Sequence, residues 1–265
     1  MGIIELSLKD LMSAAALIIV VVIITIWQQL KLTKSIIISA IRTVIQLLAI
    51  GFILHAIFAQ PKFIWVIALA TVMLLVASHE AVARQKKRFS GGWNFSFSLF
   101  SLLFASFGIT IFTLNIIIGA HPWYAPQYAI PLLGMVIGNT MTGISLSLNQ
   151  LTQTVWQQHR IIEQRLLLGE SAKQAIADIH RDSIRIGMIP SINAMAVAGI
   201  VSLPGMMTGQ ILAGISPIEA VKYQIMIMFI LTTASSFGIM LALSLSSKRL
   251  FDERQRLRLD RLINN

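Results

Sequence analysis

The chain has 265 residues, 56% of them hydrophobic and 12% charged, with a formal net charge of +10 and a mean hydropathy of +0.78. That composition excludes a soluble globular domain, since several uncharged runs reach the roughly 20 apolar residues a membrane-spanning helix needs. Cysteine is absent, so disulfide frameworks and thiolate metal centres are excluded, and any soft-metal ligand must be Met or His.

Seven uncharged windows follow one another at 11–30, 35–59, 63–79, 94–118, 128–148, 187–203 and 223–247. They are expected to be helices, giving an all-α polytopic protein, because barrel strands would alternate polar and apolar positions and these blocks do not. Residues 1–265 read as a single transmembrane domain. The first window follows Glu5, Lys9 and Asp10, lacks a basic leader and a cleavage pattern, and is expected to be an uncleaved span.

In the second window Arg42 shares a helical face with Ser35, Ser39, Thr43 and Gln46. An ionisable group at membrane depth marks a functional hypothesis, so Arg42 and Gln46 are candidate pathway residues; the alternative is that Arg42 snorkels to the interface, because residues 43–61 are uncharged and long enough to span. The third window ends in His79 and Glu80, before the basic run ARQKKR. Glu80 is a candidate partner of Arg42 or a cation site at the inner mouth, with a boundary ion pair as the plainer reading.

The fifth window aligns Gly134, Gly138, Thr142, Ser145 and Asn149, with Asn139 and Gly143 beside them. Small residues at this spacing let helix backbones approach. Asn139 needs a hydrogen-bonding partner in hydrocarbon, which a pathway or a second subunit supplies; Asn139 and Thr142 are therefore candidate pathway residues.

Residues 149–188 form the one long charged insertion. Ile161, Ile162, Leu166 and Leu168 alternate with Arg160, Glu163 and Arg165 in a pattern that predicts an amphipathic helix ending at Gly169. Ser171 and Gln174 form a capping-box pattern opening a second helix, with Ala172, Ala175, Ile176, Ile179 and Ile186 as its apolar stripe. A polar helical hairpin between spans is where a separate motor delivers force, and an ordinary connector on the membrane surface is the competing reading. Downstream, LPGMMTGQILAGISP at 203–217 breaks an apolar context with two prolines and three glycines. Broken backbone at membrane depth must line a cavity or be buried in protein, and Met206, Met207 and Gln210 there offer thioether and amide ligands near the outer mouth.

Lys and Arg collect in the first loop (Lys31, Lys34), the third (Arg84, Lys86, Lys87, Arg88), the fifth (Arg160, Arg165, Lys173, Arg181, Arg185) and the tail. By the positive-inside rule these face the cytoplasm and the N-terminus faces out, with Trp123 and Tyr124 in an outer aromatic belt. The basic excess thus reads as orientation, not nucleic-acid affinity. No glycine precedes a lysine, so no Walker A loop exists, and neither a zinc-protease motif nor a nucleophile elbow occurs; the chain is expected to be a transport subunit, not an enzyme.

Taken together, RTVIQLL (42–48), HEAVARQKKR (79–88), PLLGMVIGNTMTGISLSLN (131–149) and INAMAVAGIVSLPGMMTGQILAGISPIEAVKYQI (192–225) resemble the FetB family of iron-export ABC permeases across nearly the whole chain. The resemblance implies a multi-pass protein of the bacterial inner membrane that exports iron or another metal cation and supports metal homeostasis and oxidative-stress resistance. It also implies a FetA-like cytosolic ATPase as partner, carrying ATP and Mg that this chain lacks, and a homodimer in membrane lipid. Plant relatives of that family are associated with aluminium tolerance and with sugar-nucleotide movement. Glu163, Leu166, Gly169 and Ser171 are the implied coupling residues; Glu163 and Gly169 match the spacing of the E-A-A-x-x-x-G importer loop, although Gln164 and Arg165 stand where that loop has alanines. Rival readings are an ion-coupled secondary carrier, a membrane enzyme and a non-transporting assembly subunit.

Overall fold

A computed structural model describes residues 7–30, 32–60, 62–83 and 85–264; Glu5, Lys31 and Arg84, used in the charge reading, lie outside the described residues. The chain divides into two compact units, Met1–Pro61 and Lys62–Asn265.

The first unit holds α1 (Leu8–Trp27) and α2 (Thr33–Ala59). Ser7 and Asp10 form a reciprocal capping box at the start of α1, satisfying donors that the first helical turn leaves open. The helix stops at Trp27, earlier than the uncharged window, because Gln29 turns the chain at φ +51. Thr25 and Thr33 hydroxyls meet at 3.4 Å across the connection.

The second unit is a helical bundle. α3 (Phe63–Ala83) leads through strand β1 (Lys87–Phe89) into a helical run made of α4 (Trp93–Leu102), a π-turn at Leu103–Phe107, α5 (Gly108–Phe112) and a second π-turn at Thr113–Ile118. Then come α6 (Pro126–Gln157), α7 (His159–Leu167), α8 (Ala172–Ala175), α9 (Ala177–Val197), α10 (Gly205–Leu212) and α11 (Pro217–Arg249). The core runs along α6, where Val136, Ile144, Leu148, Leu151 and Val155 are fully buried, and against α11 through Ile239, Ala242 and Leu243. At one end Phe63 stacks edge-on with Trp123 and Tyr124, at 5.7 and 5.1 Å between ring centres, consistent with an interfacial aromatic belt.

The protein is thus an all-α, multi-pass membrane protein, and among the described residues six helical segments are long and apolar enough to cross a bilayer: Lys9–Trp27, Thr33–Ala59, Phe63–Ala83, Ser90–Ile118, Pro126–Gln157 and Pro217–Arg249. The sixth window, 187–203, differs. Its helix, α9, begins ten residues earlier among Asp178, His180, Arg181, Asp182 and Arg185 and ends at Val197, so it runs from the charged insertion into the bundle as one rod and is too charged over its length to qualify by composition. The proline- and glycine-rich stretch after it folds as a short helix, α10, packed on α11.

The basic tail is also structured. Strand β2 (Leu262–Asn264) pairs antiparallel with β1, registering Arg88 with Ile263. Arg261 donates to the carbonyls of Arg249 and Phe251 at 2.8 and 3.1 Å. Beneath this ribbon the buried amides of Gln85 and Asn94 bond each other, and Asn94 also accepts from the Phe89 amide. Asn149, aligned by the sequence with a packing stripe, instead accepts from the Lys86 backbone at 3.2 Å and pins this loop.

Candidate functional site

α6, α9 and α11 cross at glycines. A Cβ on Gly187 of α9 would lie 2.8 Å from the Gly143 carbonyl oxygen and 2.8 Å from Ser147 Cβ, and one on Gly238 of α11 would overlap the Thr140 methyl. Glycine at 143 and 187 lets the α6 and α9 backbones approach this closely, and glycine at 238 leaves α11 room for the Thr140 methyl. The sequence had pointed to Gly134 and Gly138 as the packing face. Gly138 meets nothing within 4 Å, and Gly134 would touch only the flexible end of Met73 at 3.1 Å. The close approach therefore belongs to Gly143, one step round α6.

Beside this crossing a cavity of about 230 Å³ opens between α6, α9, α10 and α11. Asn139 and Met206, both expected from sequence, line it together with Met135, Ser191, Gln224, Met228 and Thr232. Asn139 donates to the Met135 carbonyl at 2.9 Å, which commits its amide nitrogen to the helix and leaves its carbonyl oxygen as the free ligand. Gln224 is only 7% exposed and its side-chain oxygen has no hydrogen-bond partner. A buried, unsatisfied carbonyl costs about 1–3 kcal/mol, a cost usually tolerated where a ligand or water supplies the partner. At 1.5 Å rise per residue Asn139 lies about 20 Å along α6 from Pro126, near mid-membrane for a helix of that length. The donors are thus thioethers, amide oxygens and hydroxyls, all uncharged, and among the described residues no cluster of three His, Asp or Glu exists elsewhere.

The other expected pathway residues are dispersed. Thr142 is exposed and donates back to the Gly138 carbonyl at 3.0 Å. Met207 and Gln210 sit on α10 outside the cavity lining, Gln210 with a buried, unpartnered oxygen. Glu80 is half-buried on α3, and Arg42 and Gln46 belong to α2 in the first unit. Gln224, Met135 and Met228 escaped the sequence reading, although one signal was present: Gln224 is an amide inside a window otherwise fit to span.

The insertion folds as the expected hairpin. α7 ends in a Schellman turn, Glu170 N–H donating to the Arg165 carbonyl at 3.1 Å and Gly169 N–H to Leu166 at 3.0 Å, with Gly169 at φ +95, a conformation that suits glycine. Ser171 and Gln174 complete the capping box. Arg165, where the importer loop has alanine, ties the two arms: it reaches Glu170 at 3.2 Å, the Ala175 carbonyl at 3.2 Å and Asp178 at 3.4 Å. The hydrogen bond from Arg181 holds the Asp178 carboxyl below its usual range, with Arg165 adding to it.

The apolar face of α7 differs in part from expectation. Ile162 is buried and Leu166 packs on the core, but Ile161 is exposed, and Leu167 and Leu168 are 87% and 85% exposed at the tip. Glu163 is exposed beside them. The turn at Gly169 accounts for the two leucines, since a helix closing there swings its last residues away from the bundle.

Residues 8–251 match the model of the Uncharacterised protein family (UPF0014). The chain belongs to the UPF0014 family. It is 36% identical to a UPF0014 membrane protein of Synechocystis over 97% of this chain and 98% of that one. It is 34% identical to the probable iron export permease protein FetB of Escherichia coli strain K12, over 94% of each. Protein ALUMINUM SENSITIVE 3 of Arabidopsis thaliana is 32% identical over 84% of this chain and 80% of its own length. No solved structure matches. Family membership agrees with the helical spans: this is an integral, multi-pass membrane protein.

Proposed function

We propose that this chain is the permease subunit of an ATP-driven ABC exporter of the bacterial inner membrane, moving iron or another metal cation, and that it works as a homodimer with a separate FetA-like ATPase. The observation that carries the reading is the hairpin: a rigid element, internally tied by Arg165, offers Leu167 and Leu168 to solvent at its tip. Exposed leucines on an otherwise polar segment cost solubility unless a partner covers them. On this reading the hairpin is cytoplasmic and the N-terminus faces out, Glu163 and the tip leucines dock on the ATPase, and Gly169 and Ser171 hold the tip's shape. Two ATPase chains then require two hairpins, hence two permeases.

The direct passage from hairpin to cavity supports coupling. α9 leaves the hairpin and reaches the cavity at Ser191 and Ala194 within one helix, so tilting the hairpin moves one wall relative to Asn139 and Gln224. The cavity chemistry supports a cation: neutral oxygen and thioether donors bind weakly enough to release, which transit requires. Its volume of about 230 Å³ favours an ion over a sugar nucleotide, because pockets for organic ligands run to roughly 300–1,000 Å³. Among the described residues the lining carries no titratable side chain of the kind an ion-coupled carrier uses.

Reconstitution with a FetA-like ATPase in proteoliposomes tests the reading. Iron or a related cation should stimulate hydrolysis and be moved in an ATP-dependent manner. Transport that persists without any ATPase would refute it, and stimulation by none of a broad metal panel would remove the metal assignment.

A further inference from the structure

Two concavities of the second unit share a residue. An apolar groove of about 470 Å³ lies between Phe104, Gly108 and Ile109 on one side and Phe237, Met240, Leu241 and Ser244 of α11 on the other. A second cavity, of about 810 Å³, begins at Ser244 and continues past Ser247, Lys248 and Phe251, facing Lys173, Ile176, His180 and Arg181 of the hairpin and α9. Phe237, Leu241, Ser244 and Lys248 fall at i, i+4, i+7 and i+11, one face of α11, and Phe251 follows just past its end. The two concavities are therefore one track, apolar at the bilayer end and basic at the charged end.

Its dimensions suit one class of molecule. From Phe237 to Lys248 the track runs about 16 Å at 1.5 Å per residue, close to half of a hydrocarbon core of about 30 Å, which is one leaflet. Its walls are Phe104, Ile109, Met240 and Leu241 where acyl carbon would lie. At the other end Lys173, Arg181 and Lys248 converge, and among the described residues neither lysine has a carboxylate within 4.0 Å; Arg181 alone pairs, with Asp178 at 2.6 Å. The Ser247 hydroxyl is buried there with no partner. Burial depresses the His180 pKa, and Lys173 nearby adds to it.

We propose that this track binds one anionic phospholipid, its phosphate among Lys173, Arg181 and Lys248 and within reach of Ser247, and one acyl chain along Met240 and Phe237. Basic pockets between helices at a membrane surface hold phosphate headgroups in this manner. The lipid bridges the hairpin to α11, so its occupancy stiffens the element through which force would pass.

The test uses the whole protein purified in detergent, titrated with phosphatidylglycerol, phosphatidylcholine or inorganic phosphate, reading the thermal midpoint and the lipid retained in native mass spectrometry. Phosphatidylglycerol should raise the midpoint and remain as a single bound lipid, while the other two do neither. Lys173→Gln with Lys248→Gln should weaken phosphatidylglycerol about thirtyfold, from roughly fivefold per lysine, and the paired Arg replacements should restore it; Lys222→Gln, whose residue pairs with Glu219 at the start of α11, should change nothing. Ser244→Trp should block retention by filling the junction without altering charge. Equal stabilisation by phosphatidylcholine would mean an unselective lipid-facing groove. Equal stabilisation by phosphate would mean a soluble-anion site. Either result overturns the proposal, as does unchanged affinity in the double Gln variant; the wild-type comparison decides even if that variant fails to fold.

Discussion

Replacing Gly187 with alanine adds one methyl group at the tightest point of the bundle. The new carbon would stand 2.8 Å from the Gly143 carbonyl oxygen and 2.8 Å from Ser147 Cβ, with Ile239 Cδ1 at 3.2 Å. The first two neighbours are backbone and a buried Cβ, which cannot rotate away, so α9 must move about 0.6 Å from α6 to restore ordinary contact near 3.4 Å. Overpacking of this kind costs roughly 1–3 kcal/mol, and two rigid contacts put Gly187→Ala in the upper half of that range. For a unit of this size that corresponds to about 4–12 °C in the midpoint. Thermal unfolding in detergent, followed by size-exclusion chromatography, measures it. Gly138→Ala is the matched control: the same change on α6, with nothing within 4 Å, should leave the midpoint unchanged or raise it, since alanine favours helix by up to about 1 kcal/mol over glycine. A Gly187→Ala protein as stable as Gly138→Ala would refute the close-packed crossing. Because α9 also walls the cavity, the shift should lower transport out of proportion to the loss of folded protein.

Leu167→Asp with Leu168→Asp should leave the permease as stable as wild type but weaken ATPase binding roughly thirtyfold, since partial burial of two leucines supplies about 2 kcal/mol; equal affinity in a binding titration would place the docking surface elsewhere. Gln224→Leu removes an unsatisfied buried oxygen and should hold or raise the thermal midpoint, yet abolish cation-stimulated ATPase activity; retained stimulation would exclude Gln224 as a ligand. In the tail, two hydrogen bonds of 2.8 Å from Arg258 lower the Asp260 carboxyl to about 2. A depressed carboxylate stabilises the tail above its unfolded value near pH 4 and loses that contribution as pH falls toward 2. Amide exchange in β2 should therefore accelerate over that window, and Asp260→Asn should show the faster exchange already at pH 7.

Much of the architecture follows from local chemistry. Uncharged runs bounded by basic loops specify spanning helices because backbone polar groups in hydrocarbon must bond within their own segment. The hairpin was equally legible, since Gly169 and the Ser171–Gln174 pair act over three or four residues. Where the reading departed from the structure, the cause was long-range. The sixth window, 187–203, became the second half of α9 because packing on α6 and α11 carries a charged helix into the bundle without a break. Asn149 left its stripe for the Lys86 backbone, 63 residues away in sequence. Leu168, expected on one apolar stripe with Leu166, stayed exposed while Leu166 packed on the core, because which part of a stripe is covered depends on what the rest of the chain brings against it.

The candidate site divides the same way. Asn139 and Met206 were found because an amide in an apolar window and a broken, methionine-bearing loop are anomalies visible in one dimension. Met135, Gln224 and Met228 become part of the site only because α6, α10 and α11 meet there, and the glycines that permit the meeting, Gly143, Gly187 and Gly238, lie on three different helices. By itself the sequence determines that this protein spans the membrane many times and presents a capped polar hairpin, since hydropathy, charge and capping act within a few residues. Which side chains share a cavity was decided by tertiary structure alone, because helix crossings depend on complementary surfaces distant in the chain.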